Sequence, residues 1–159
     1  MKTILICGAT GFIGKNLVYH YSQNKNYKVK AVYNKRPPYQ VENVSWIKCD
    51  LRDPDGVRTA LEDVDIVMHF AATTTGAKDI VSKPYIHVTD NVIMTSYLLR
   101  EAFEQGIEHF IFPSCTIMYQ KSESALKESD FDPADDIQSF YYGAGHTKVY
   151  LENMCKFYA

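Results

Sequence analysis

The chain has 159 residues, 46% hydrophobic and 23% charged, with 17 basic against 19 acidic side chains and a formal net charge of −2. That composition fits one globular domain with a sizeable core, and it leaves no electrostatic footprint for nucleic acid, since basic residues form no block beyond Lys35-Arg36. No apolar run approaches the roughly 20 residues of a membrane span, no signal-peptide pattern opens the chain, and Cys7, Cys49, Cys115 and Cys155 stand far apart without a CxxC pair. Reduced thiols, no metal site, no membrane and a cytoplasmic address are therefore expected.

In chain order, Thr3-Ile4-Leu5-Ile6-Cys7 is a continuous apolar run, as expected of a strand buried on both faces. It ends in a glycine-rich turn that opens a helix over 14–23. Strands are predicted next over 28–33 and 44–49, a helix over 54–61, and a strand over 66–70. The stretch 87–105 carries Val88, Val92, Thr95, Leu99 and Ala102 at helical spacing and stops at Gly106. A strand over 109–112 follows, then a polar surface loop over 121–138, then a helix from about 143 to 158. Short apolar runs alternating with amphipathic helices argue for an α/β fold, a Rossmann-like, doubly wound parallel sheet.

Gly8-Ala9-Thr10-Gly11-Phe12-Ile13-Gly14 is the strongest motif. Placed between a strand and a helix, its glycines serve a tight turn, a close approach of backbone to pyrophosphate and close packing of helix on strand, with the helix N-terminus facing the phosphates. A dinucleotide cofactor is thus expected here.

This motif, Cys49-Asp50-Leu51-Arg52-Asp53, His69-Phe70-Ala71-Ala72 and Asn91 together resemble the extended short-chain dehydrogenase/reductases, the NAD(P)-dependent nucleotide-sugar epimerases and dehydratases. The resemblance covers the whole chain. It implies that Asp50 and Leu51 sit against the adenine, that Ala71, Ala72 and Thr73 line the cofactor cleft, and that Asn91 ties the long helix to a neighbouring strand. The segments 71–91 and 114–119 are most similar to the GDP-fucose synthase branch. A nucleotide-sugar substrate and a homodimer formed through helices 87–105 and 143–158 are the partners this implies. Members of the family are longer, with further strands and a smaller sugar-binding domain, so residues 1–159 are expected to be the NAD(P)-binding N-terminal part of a longer enzyme.

Cofactor choice between NAD and NADP is read after the second strand, where an acid would accept the ribose hydroxyls of NAD. Here the residues are Asn34, Lys35 and Arg36. With no acid and two cations able to pair with a 2′-phosphate, NADP is favoured. If NAD is preferred instead, Asn34 is the expected ribose contact.

Hydride transfer at a sugar carbon needs an acid/base at the oxygen. The family uses a Tyr four residues before a Lys that holds the nicotinamide ribose. Lys148, followed by Glu152, fits the Lys, but the Tyr position is Ala144. At about 100° per residue, His146 points away from Lys148, Tyr142 lies awkwardly to the side, and Tyr141 shares its direction two turns earlier, usable if the helix starts at Gly143. Pairing Tyr142 with His146 is an alternative alignment that gives up the lysine. The family's hydroxyl four before the Tyr of the serine motif, here Tyr119, is replaced by Cys115, flanked by Ser114 and Thr116. Either a neighbouring hydroxyl takes over, or Cys115 is an acid/base with a tuned thiol. The competing reading is a dinucleotide-binding module without chemistry.

Overall fold

A computed structural model describes residues 1–74, 82–83, 85–134 and 136–159. Strands β1 (Lys2–Cys7), β2 (Tyr27–Tyr33), β3 (Val44–Lys48), β4 (Ile66–His69) and β5 (His109–Ile111) form one sheet in the order β3-β2-β1-β4-β5, with every pairing parallel. The helices are α1 (Phe12–Ser22), α2 (Pro54–Leu61), α3 (Tyr85–Glu104) and α4 (Tyr142–Tyr158). This is the expected Rossmann-like order, and its strand sequence reverses beside β1, where a crevice opens at the carboxyl ends of the strands.

The apolar run of β1 behaves as a strand covered on both faces. Ile4 and Ile6 pack with Val18 of α1, Val29 and Ala31, whereas Leu5 and Cys7 pack with Val57 and Leu61 of α2 and Leu98 of α3. All four of these β1 side chains are fully buried. Asp53 caps α2 by accepting the Asp55 amide hydrogen bond at 3.3 Å, and Pro54 needs no donor at the first helical position. Arg58 of α2 pairs with the buried Glu101 of α3 at 3.3 Å, fixing those two helices side by side.

The elements differ from the sequence reading by one or two residues at their ends. β4 and β5 stop at His69 and Ile111, one residue early, and the last helix starts at Tyr142 rather than Gly143. Within the polar stretch 121–138, a 3-10 turn forms at Glu128–Asp130, and Ile137 is buried and bridges to Gln120. The segment 71–91, part of the subfamily resemblance, includes positions 75–81 and 84, which lie outside the described residues. No described helix is long and apolar enough to cross a membrane. All four cysteines carry free thiols.

Candidate cofactor cleft and active site

The turn after β1 is set by two glycines that the chain itself requires. Gly8 has φ +77°, and a Cβ there would lie 2.7 Å from both the Ala71 nitrogen and the Phe70 carbonyl oxygen, so β1 and the segment after β4 touch through bare backbone. A Cβ on Gly14 would overlap the Gly8 carbonyl oxygen and come within 2.9 Å of the Ala9 Cα. Gly11 is different. It caps α1 with an ordinary extended backbone (φ −80°, ψ 174°), and among the described residues a Cβ would meet only the Gly8 oxygen, at 3.2 Å.

Around this turn lies a cleft of about 400 Å³, lined by Gly8, Thr10, Gly11, the 32–36 segment, Cys49, Leu51 and the 70–74 segment. It gathers most of the residues expected at a cofactor: Gly8, Thr10, Gly11, Asn34, Lys35, Arg36, Leu51, Ala71, Ala72 and Thr73. Phe12 and Ile13 start α1 beside it with largely exposed side chains, and no acidic residue occupies the first turn of the helix. Gly14 contributes by packing rather than by lining.

The rim is held by charge and by one amide. Asp50 accepts hydrogen bonds from Arg52 Nη2 at 2.6 Å and Nε at 3.0 Å, and Arg52 Nη1 reaches Asp90 at 3.2 Å. That guanidinium, with a smaller contribution from Asn34, holds the Asp50 carboxyl down at about 2. Asn91 accepts from the Thr73 amide at 2.8 Å, and its Nδ2 donates to the carbonyls of Thr73 and His87 at 3.2 and 2.7 Å. Asn91 therefore fastens α3 to the loop that follows β4, rather than to the strand itself as the resemblance implied. Arg36 Nη1 donates to the Thr10 carbonyl at 2.8 Å, drawing the guanidinium over the glycine turn.

The catalytic candidates lie elsewhere around the ends of β4 and β5. Lys148 is not among the residues lining the cleft. Its Nζ donates to the Pro113 carbonyl at 3.3 Å and lies 4.4 Å from the centre of the Phe112 ring. Burial lowers its pKa, opposed by the nearby Cys115, Glu152 and Cys155. A cavity of about 750 Å³ is lined by Ser114, Cys115, Thr116, Tyr119 and Glu152, among others. Cys115 is half-buried and precedes the 3-10 turn Thr116–Met118, while Ser114 Oγ donates to Met118 Sδ at 3.2 Å.

Neither tyrosine joins this group in the described contacts. Tyr142 is 63% exposed and its ring meets the exposed His146 edge-on at 4.4 Å, on the side of α4 away from the buried Gly145, Thr147 and Leu151. Tyr141 belongs to the 3-10 turn before α4 and caps the helix with ψ 9°. The helix includes Tyr142, so the late start at Gly143 that would have made Tyr141 usable does not occur.

The family described as NAD dependent epimerase/dehydratase matches residues 4–159. The chain belongs to this family. It is similar to GDP-mannose 3,5-epimerase 1 of Oryza sativa subsp. indica, 26% identical over 163 residues, covering 98% of the chain and 42% of the relative. UDP-glucose 4-epimerase of Halalkalibacterium halodurans is 27% identical over 155 residues, 95% of the chain and 44% of the relative. In structure, it is similar to the UDP-glucuronic acid 4-epimerase of Bacillus cereus in complex with UDP-glucuronic acid and NAD, with a TM-score of 0.79, 26% identity, and coverage of 98% of this chain and 52% of that one. The chain thus spans about half the length of these proteins.

Sequence reasoning did not single out four side chains around the cleft and Lys148. Arg52 and Asp90 are 38 positions apart, with no periodic signal linking them. Phe112 was legible only as the end of a strand, yet its ring carries Lys148. His69 belongs to a quoted motif, but its burial between β4 and α3, with Nε2 3.0 Å from Thr95 Oγ1, is a tertiary fact.

Proposed function

We propose that this chain is the cofactor-binding N-terminal part of an NAD(P)-dependent nucleotide-sugar epimerase or reductase that works by hydride transfer at a sugar hydroxyl or keto carbon. The observation that carries the reading is the glycine turn. Two of its glycines are demanded by internal packing, while Gly11 is left with its free face toward a cleft at the N-terminus of α1. The orphan amides of that helix end and the absent Cβ at Gly11 fit a pyrophosphate. The bound nicotinamide would supply the hydride acceptor or donor. The chain's own residues would hold it: Leu51 and Asp50 toward the adenine, Ala71, Ala72 and Thr73 along the cleft, and Lys148 toward the nicotinamide ribose.

NADP is the favoured form, because Lys35 and Arg36 line the cleft where an acid would select NAD. The proton on the sugar oxygen would be moved by Cys115, with Ser114 or Thr116 as donors beside it, because Cys115, like Cys155, acts electrostatically on Lys148 while Tyr141 and Tyr142 do not, and Cys115 lines the same cavity as Ser114 and Thr116. A homodimer would pair α3 and α4 with their counterparts, covering Phe103, Tyr150 and Phe157, which are 66%, 54% and 80% exposed. A cytoplasmic location goes with the four free thiols.

A second reading has its own support: Ala144 at the tyrosine position suits a dinucleotide-binding module without chemistry. One experiment separates them. The full-length protein is given NADP(H) or NAD(H) with UDP- and GDP-linked sugars, and nicotinamide absorbance and sugar products are followed. Turnover should fall about 10²–10⁴-fold in Cys115→Ser or Lys148→Met if these act on the proton, and much less in Tyr141→Phe or Tyr142→Phe. Cofactor binding with no turnover on any sugar would favour the module.

A further inference from the structure

A buried ammonium must have its lost hydration replaced or it gives up its proton. Lys148 has three N–H donors and, among the described residues, one hydrogen-bond acceptor in reach, the Pro113 carbonyl at 3.3 Å. The charged and titratable groups around it are Cys115 from the segment after β5, Glu152 and Cys155 from its own helix, and His69 from β4. None of these is hydrogen-bonded to it. The atom group that meets the ammonium directly is the Phe112 ring, 4.4 Å from Nζ to the centroid, well inside the roughly 6 Å reach of a cation–π contact.

We propose that Phe112 is a positioning residue whose ring face anchors the Lys148 ammonium at the carboxyl end of the sheet and keeps it protonated. The dipeptide Phe112-Pro113 suits this task twice. It offers a ring and a carbonyl to one cation, and Pro113 has no N–H to repel it. The ring is in turn stacked with His69, at 5.9 Å between centroids and 30° between planes, and His69 is fixed by Thr95. Burial, and secondarily the Lys148 charge, push the His69 imidazole down to about 3, so at neutral pH the group behind the platform is uncharged. A chain of contacts from α3 through β4 and β5 thereby places one amine. Its value for catalysis rests on the proposed role of Lys148 at the cofactor ribose, whereas the reactivity of the amine does not, so the two ideas fail separately.

The test is trace acetylation of the full-length protein with acetic anhydride across a range of pH, with Lys148 modification quantified by peptide mass spectrometry. Trifluorophenylalanine placed at position 112 keeps the shape of the ring but removes its negative face. It should move the Lys148 profile to lower pH, raising its rate about three- to tenfold where the wild-type amine is mostly protonated, with an unchanged plateau at high pH. Phe112→Leu should shift the profile the same way, and Phe112→Tyr should keep the wild-type midpoint. An unmoved midpoint with the fluorinated ring would overturn the proposal, as would an equal shift in Phe112→Tyr. If Phe112→Leu does not fold, the fluorinated protein decides.

Discussion

Mild acid should destabilise this protein through His69. The side chain is 2% exposed, one ring nitrogen faces Thr95, and Nδ1 is buried without a hydrogen-bond partner among the described residues. Its pKa is pushed down to about 3, first by burial and then by Lys148, from an ordinary value of 6.5. Between those two values the unfolded chain binds a proton that the folded chain refuses, so stability rises with pH across that window and falls as pH drops below about 6.5. At about 1.4 kcal/mol per pH unit, going from pH 7.5 to pH 5 should remove about 2 kcal/mol through this group alone. Asp50 also titrates at low pH, but its depressed pKa makes its contribution vanish only as pH falls from about 4 toward 2, outside this range. Urea unfolding at the two pH values, on wild type and His69→Gln, measures the effect. The variant starts less stable but should lose far less on acidification. Equal losses in both proteins would refute the reasoning.

Gly14→Ala should cost roughly 3 kcal/mol or more, or prevent folding, because the new methyl group would overlap the Gly8 carbonyl; thermal melting within about 1 kcal/mol of wild type would contradict the packing described. Arg36→Glu should weaken NADPH binding at least about tenfold while leaving NADH little changed, and an unaltered ratio by titration would remove the 2′-phosphate role. Tyr150→Glu combined with Phe157→Glu should convert a dimer to a monomer by light scattering, and a monomeric wild type would end the homodimer proposal.

Period and punctuation made the sheet legible. β1 needed no partner to be recognised, because a strand covered on both faces must be apolar at every position, and Ile4 to Cys7 are. The ends of β4 and β5 were less legible, since Phe70 and Phe112 continue the apolar runs although the ladder has already stopped. The glycine spacing pointed to a cofactor turn as an expectation, but not to Gly8 and Gly14 being locked by Ala71 and Gly8 while Gly11 has one contact only. That division depends on close approaches between distant backbone segments. The last helix was the hardest part. Helical angles put His146 on the far side from Lys148, and His146 is exposed, yet they gave Tyr141 a direction that holds only inside a helix, and Tyr141 lies in the 3-10 turn before it. The platform under Lys148 could not be read at all, because Phe112 and Lys148 are brought together by the packing of α4 against the end of β5.

The central claim is that the Gly8–Gly14 turn binds a dinucleotide through the open face of Gly11, and calorimetric titration of NADPH and NADH into wild-type and Gly11→Val protein tests it most directly. Gly11 has ordinary backbone angles, and among the described residues a Cβ there meets one backbone oxygen, tightly at 3.2 Å, so the valine variant should fold with a lowered melting temperature. The account predicts that wild type binds the cofactor and that Gly11→Val loses at least about a hundredfold in affinity, because its side chain fills the space the pyrophosphate needs. A folded Gly11→Val protein with undiminished affinity would contradict it, and so would a wild-type protein that binds neither cofactor.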